Sequence, residues 1–289
     1  MVSHLPFVEH RIPSGQARLY VRDYAGAGPA FVLMHGLPDN LRIYAELIPL
    51  LAAAGRRVVA FDFLGFGASD RLSDGGYSYA QQVGDLAAVV EGLDLAAPVL
   101  VPHDSSGFAA INYALGAPGR VGAISMLNSA YADVTGVYWP EMIELAARPS
   151  LRALSDAILQ TPAQFGWLLG WQKLLFRDAL PADQRAHFDA DIGKVIEDNF
   201  VKPPGAGVAY RQMTAEFYDE LARNAGRLSE VEALDLPIKL IWGEYDPYLT
   251  VAMAEARLKH LKHGSLHRVP AGHWLQSDEP QLVARELLA

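Results

Sequence analysis

A chain of 289 residues with 51% hydrophobic and 20% charged content is long enough for one large α/β domain, with or without an insertion, and is not composed like a disordered segment. Its net charge of −9 and the lack of any Lys/Arg cluster argue against nucleic acid or an anionic membrane surface as a partner. With no cysteine, it has no disulfide, no thiolate nucleophile and no Cys-ligated metal.

The amino terminus, Met1 to Pro6, lacks a basic segment followed by an apolar run, and no stretch of about 18 apolar residues follows, so a cytoplasmic location is expected. In chain order, apolar runs predict strands at Leu19–Tyr24, Ala30–Met34, Arg57–Phe61, Pro98–Val101, Val121–Met126, Ile238–Trp242 and Leu266–Val269. Helical spacing predicts helices at Ile43–Ala53, Gln81–Leu93, Ser106–Leu115, Val251–His260 and Gln281–Leu288. This alternation predicts an α/β fold: a mostly parallel sheet covered by helices on both faces. It breaks between Tyr131 and Ala233, where helical patterns are punctuated by Pro149, Pro162, Pro181 and Pro203-Pro204. The expected division is a core of residues 1–130 and 234–289, with 131–233 inserted as a helical cap over the strand ends.

Pro98-Val99-Leu100-Val101-Pro102-His103-Asp104-Ser105-Ser106-Gly107 reads as a buried strand, a sharp turn and a helix start. That is the geometry of a nucleophile elbow, usually G-x-S-x-G, where small residues flank the nucleophile because strand and helix crowd there. Here Asp104 takes the place of the serine, with Pro102 and Ser106 at the small positions. A rival register makes Ser105 the nucleophile and keeps Gly107, but it puts the bulky His103 at the first small position.

Three further segments converge on the same strand ends. In Phe31-Val32-Leu33-Met34-His35-Gly36-Leu37-Pro38, Gly36 permits a twist that points the Leu37 amide inward, where it forms a two-donor oxyanion hole with the Ser105 amide. Asp246 lies just past the strand ending at Trp242, and His273 just past the strand ending at Val269. The chain order nucleophile, acid, histidine belongs to one fold type. His260 and His263 read as a solvated helix end, and no metal site is expected.

Together these segments resemble the α/β-hydrolase superfamily over nearly the whole chain, and within it the branch with an aspartate nucleophile, the epoxide hydrolases and haloalkane dehalogenases. Ala117-Pro118-Gly119-Arg120-Val121 resembles the family's His-Pro-x-Arg-Val connection, at the distance expected if Asp104 is the nucleophile. Asp62-Phe63-Leu64-Gly65-Phe66-Gly67-Ala68-Ser69-Asp70 resembles its glycine-rich turn, a structural feature. The resemblance implies that Asp104 attacks an sp³ carbon and forms an alkyl ester, which water activated by His273 then cleaves while Asp246 orients the imidazole. Serine attacking the same carbon would leave an inert ether.

The leaving group separates the two branches. Tyr210-Arg211-Gln212-Met213 resembles the epoxide hydrolase Tyr-Arg-Asn-Met stretch, which implies that Tyr210 donates a proton to the ring oxygen; Tyr138 and Tyr131 are candidates for a second donor. A halide needs indole donors, one of them normally where Ser105 stands, and Trp167 and Trp171 are the cap residues that would cradle it. His35, in a motif common to both branches, is placed with these substrate-side residues. The chain departs from both branches at Ser105, usually Trp or Arg, and at Ser106, usually Gly.

The sequence reading is a hydrolase that opens small, mostly apolar epoxides. Alternatives are a haloalkane or haloacid dehalogenase with the same triad, a serine esterase using Ser105, and a non-catalytic ligand-binding protein on this fold. A small-molecule substrate is the expected partner, with no organic cofactor, and the chain is expected to be a monomer or homodimer.

Overall fold

A computed structural model describes residues 5–72, 75–132, 137–201 and 205–289; Met1–His4 and Pro203-Pro204 lie outside the described residues. Among those described, strands β1 (Val8–Ser14), β2 (Ala17–Tyr24), β3 (Ala27–Met34), β4 (Arg56–Asp62), β5 (Val99–Asp104), β6 (Ala123–Ser129), β7 (Pro237–Gly243) and β8 (His263–Val269) form one sheet. Its order is β1-β2-β4-β3-β5-β6-β7-β8. β2 runs antiparallel to β1 and β4, and every other neighbouring pair is parallel.

Alternate residues of the central strands feed two separate cores, as a period-2 backbone buried on both faces requires. Val32, Met34, Val59, Phe61 and Leu100 enter one core with α2 (Tyr79–Gly92) and α3 (Ser106–Gly116). Phe31, Leu33, Val58, Ala60 and Val101 enter the other, against α1 (Leu47–Ala53) and the carboxy-terminal helices. Each fully buried aliphatic side chain of this kind contributes about 1.5–3 kcal/mol. Helix α2 starts where Ser78 accepts the Gln81 amide at 3.0 Å, the usual use of serine before a first helical turn.

Between β6 and β7 the described chain forms helices only: α4 (Glu141–Ala147), α5 (Arg152–Leu159), α6 (Pro162–Ala179), α7 (Ala182–Ala190), α8 (Ile192–Val201), α9 (Gly207–Ala215), α10 (Phe217–Ala225) and α11 (Leu228–Ala233). Helices α12 (Val251–Leu258), α13 (Leu275–Asp278) and α14 (Pro280–Leu288) follow within the sheet region. No described helix is long and apolar enough to cross a membrane.

Three local expectations shift. The sequence reading has no β1, because Val8–Ser14 is mostly exposed and carries Glu9, His10, Arg11 and Pro13. Such residues suit the sheet edge, where one row of backbone groups faces solvent. The helix expected from Ile43 is broken: a 3-10 turn at Leu41–Tyr44, capped by the Asn40 side chain, precedes α1. β6 extends past Met126 to Ser129, and its last residues belong to the candidate site.

Candidate active site

Asp104 ends β5 and Ser106 starts α3, and at the junction Asp104 adopts φ 54°, a left-handed conformation that costs a non-glycine residue energy. The turn survives because its neighbours are fitted to it. A Cβ on Gly107 would lie 2.3 Å from the Ala130 carbonyl oxygen, and one on Gly36 would lie 2.3 Å from the Asp104 Cβ. Ser106 fits the crowded position because its hydroxyl has partners: its one proton is shared between the carbonyls of His103 (2.7 Å) and Met34 (3.0 Å), and its oxygen accepts the His103 amide (2.9 Å).

The Leu37 amide donates to Asp104 Oδ2 at 2.9 Å, and His273 Nε2 stands 3.6 Å from Asp104 Oδ1. On its other side, His273 Nδ1 meets Asp246 Oδ2 at 2.6 Å. Asp246 is itself held by the amides of Tyr248 (2.9 Å) and Leu249 (3.0 Å) and by Asn128 Nδ2 (2.7 Å). The structure thus brings Asp104, Asp246, His273, Leu37 and Ser105 together. Asn128 was missed: its carboxamide also accepts the Gly243 amide at 2.6 Å, tying β6 to the turn that carries Asp246. The available signal was a polar residue closing the apolar run of β6.

Burial raises the Asp104 carboxyl above the usual carboxylate range, while the His273 charge and the Leu37 and Ser105 amides pull against that rise. Burial disfavours the His273 imidazolium, but the carboxylates of Asp246, Asp104 and Asp39 outweigh it and raise the group to about 9. At neutral pH His273 therefore carries a proton and faces the Asp104 carboxyl at 3.6 Å. Beneath it, His103 Nε2 donates to the His273 carbonyl at 2.9 Å, and Trp274 Nε1 donates to Asp39 Oδ2 at 2.8 Å. Burial lifts Asp39 to about 7, which leaves it half ionised at neutral pH, and holds His103 well below the ordinary histidine range, which leaves that imidazole uncharged.

Above Asp104 lies a cavity of about 60 Å³, walled by apolar side chains such as Trp139, Met142, Leu169, Phe176 and Phe217. Tyr210, on α9, lines it; its hydroxyl is buried and has no hydrogen-bond partner among the described residues. Burial and then the nearby Asp104 charge raise the phenol well above its ordinary value, so it holds its proton. Tyr248 also lines the cavity, but its hydroxyl donates to Glu141 Oε2 (2.6 Å) and accepts from Gln172 Nε2 (2.8 Å).

Five expected substrate-side residues are placed elsewhere. Trp167 and Trp171 stack on each other with centroids 6.3 Å apart, are 70% and 44% exposed, and do not line the cavity. Helix α6 turns Leu169, Gln172, Lys173 and Phe176 to the cavity, an i, i+3, i+4, i+7 face that leaves the two indoles outside. His35 is packed between Phe63 and Phe66, its Nδ1 donating to the Gly36 carbonyl (2.9 Å) and its Nε2 accepting the Phe63 amide (3.1 Å), so it fixes the turn and does not line the cavity. Tyr131 donates to Asn112 (3.1 Å) and the exposed Tyr138 to Glu141 (3.2 Å); neither lines the cavity.

A family model for the α/β-hydrolase fold matches residues 29–280. The chain is 34% identical to an epoxide hydrolase of Caballeronia sordidicola, over 97% of this chain and 92% of that protein. It is 25% identical to bifunctional epoxide hydrolase 2 of Sus scrofa over 91% of its length, and spans 51% of that longer protein. Among solved structures, an esterase from Exiguobacterium antarcticum superposes with a TM-score of 0.76 at 19% identity, covering 97% of this chain and 98% of the other. At that identity the likeness is one of fold.

Proposed function

The chain belongs to the α/β-hydrolase fold family and is a hydrolase, and on that premise we propose that it opens epoxides through a covalent ester on Asp104. The observation that carries this reading is the unpartnered, protonated Tyr210 hydroxyl in the same small apolar cavity as the Asp104 carboxylate. An oxirane needs both: a nucleophile for its carbon and an acid for its oxygen.

In the first step an Asp104 oxygen attacks a ring carbon, the ring C–O bond breaks, and Tyr210 protonates the oxygen that departs. Esterification removes the Asp104 charge, one of the causes that hold His273 protonated at rest. The imidazole pKa therefore falls, the imidazolium gives up its proton through solvent to the Tyr210 phenolate, and the neutral His273 then takes a proton from water as the water attacks the Asp104 carbonyl carbon. Negative charge then grows on the carbonyl oxygen, where the Leu37 and Ser105 amides receive it; one such donor is worth about 3 kcal/mol. Helices α4 to α11 act as the cap that supplies Tyr210 and keeps bulk water out, which favours small, apolar epoxides.

Styrene oxide, a bromoalkane and a nitrophenyl ester, assayed for diol, halide and phenolate, test the assignment. Diol is the expected product, and Tyr210→Phe is expected to slow its formation about 10²-fold, the usual worth of a placed general acid. Halide or phenolate as the dominant product, or a Tyr210→Phe enzyme as fast as wild type on the epoxide, contradicts it.

A further inference from the structure

We propose that the side chain of Ser105 is the second hydroxyl donor to the oxygen of the opening ring, a role distinct from that of its backbone amide; the proposal rests on the epoxide reading above. Of the buried side-chain polar atoms without a hydrogen-bond partner among the described residues, two belong to residues lining the cavity: Tyr210 Oη and Ser105 Oγ. A buried hydroxyl with no partner is costly to the fold, and in a cavity wall it marks where a ligand atom completes the bond.

Other hydroxyls nearby are engaged or outside the wall. Tyr248 is held between Glu141 and Gln172, and Ser129 Oγ donates to the Asp104 carbonyl at 2.6 Å. Tyr79 is also unpartnered, but it does not line the cavity, and its ring stands against Phe108 at 4.9 Å. Ser105 makes no side-chain cap bond to α3, so helix formation does not use its hydroxyl. The hydroxyl also lies near enough to the Asp104 carboxyl to draw it down, although its geometry falls short of a hydrogen bond to that group, so it stands beside the reacting atoms with its proton uncommitted.

Ser105 stands at the start of α3 and Tyr210 on α9, and both line the cavity beside Asp104, so both hydroxyls are available to an oxygen leaving the attacked carbon. As the bond from Asp104 to carbon forms, the electron pair of the breaking ring bond goes to that oxygen. Tyr210 transfers its proton there, and Ser105 keeps its own while sharing the developing charge through a hydrogen bond. The phenolate recovers a proton from the His273 imidazolium, through solvent, before the second step; water then adds its oxygen to the Asp104 carbonyl carbon, the ester C–O bond breaks to release the diol, and Asp104 returns to a carboxylate with the remaining proton on His273.

Because an alanine at 105 keeps the backbone amide, the two roles separate experimentally. In a His273→Gln background, where ester formation is seen alone, adding Ser105→Ala is expected to slow adduct formation from styrene oxide about 10- to 100-fold, the worth of a hydrogen bond to developing charge. With His273 intact, the same substitution is expected to change decay of the ester by less than about threefold, since the oxyanion donors remain. Adduct formation at an unchanged rate overturns the proposal. So does parallel slowing of both steps, which would mean that Ser105 only positions Asp104. If His273→Gln alone accumulates no adduct, the epoxide reading itself fails, an outcome distinct from either.

Discussion

Replacing His273 with Gln is expected to convert the enzyme into a trap: styrene oxide adds to Asp104, water does not follow, and intact-protein mass shows one persistent adduct. The first step needs the Asp104 carboxylate, the Leu37 amide at 2.9 Å and Tyr210, none of which the substitution removes. The second needs a base, and among the described residues His273 is the one paired with Asp104, at 3.6 Å. Loss of the base should lower ester hydrolysis by about 10²- to 10⁴-fold. Removing the imidazolium also takes away a charge that favours an ionised Asp104, so the trap is best set at mildly alkaline pH. In the unsubstituted enzyme, ester decay is expected to rise with pH, because His273 must be neutral to act. The limiting pKa should fall below about 9, the resting value, since the Asp104 charge that helps raise it is gone in the ester. Rapid adduct decay in His273→Gln, or decay independent of pH in the wild type, contradicts this assignment.

Replacing Asp104 with Ala is expected to abolish diol formation, by at least about 10⁴-fold, as loss of a covalent nucleophile does elsewhere. Alanine is preferable to asparagine here, because an amide at this position lies under the same histidine that activates water and is open to hydrolysis back to the carboxylate. Ser105→Ala is expected to be far milder. The serine esterase alternative requires the opposite ranking on an ester, so steady-state assays of the two variants for diol from styrene oxide and phenolate from the nitrophenyl ester decide between the two registers of the elbow.

The triad was legible because each member sits at a strand end whose turn chemistry is local. Gly36 and Gly107 leave space that any Cβ would fill, and Asp246 and His273 follow the ends of β7 and β8 by a few residues. What stayed hidden depends on contacts far apart in sequence. Trp274 reaches Asp39 across 235 positions and Asn128 reaches Asp246 across 118, distances over which no spacing rule operates. The phase of α6 was equally invisible. Its composition offers indoles, but only packing decides that Gln172 and Phe176 face the cavity while Trp167 faces solvent. His35 looked like a substrate contact because it stands in a motif beside the oxyanion turn, yet both its ring nitrogens are spent holding the backbone of that turn and of Phe63.

The most direct test follows the oxygen atom. With enzyme in excess over styrene oxide in ¹⁸O-water, a single turnover is expected to give diol whose new hydroxyl carries ordinary oxygen taken from Asp104, and to leave ¹⁸O in the peptide containing Asp104. Heavy oxygen in the diol of that first turnover, with the Asp104 peptide unlabelled, would show that water attacks the substrate directly and that no ester forms.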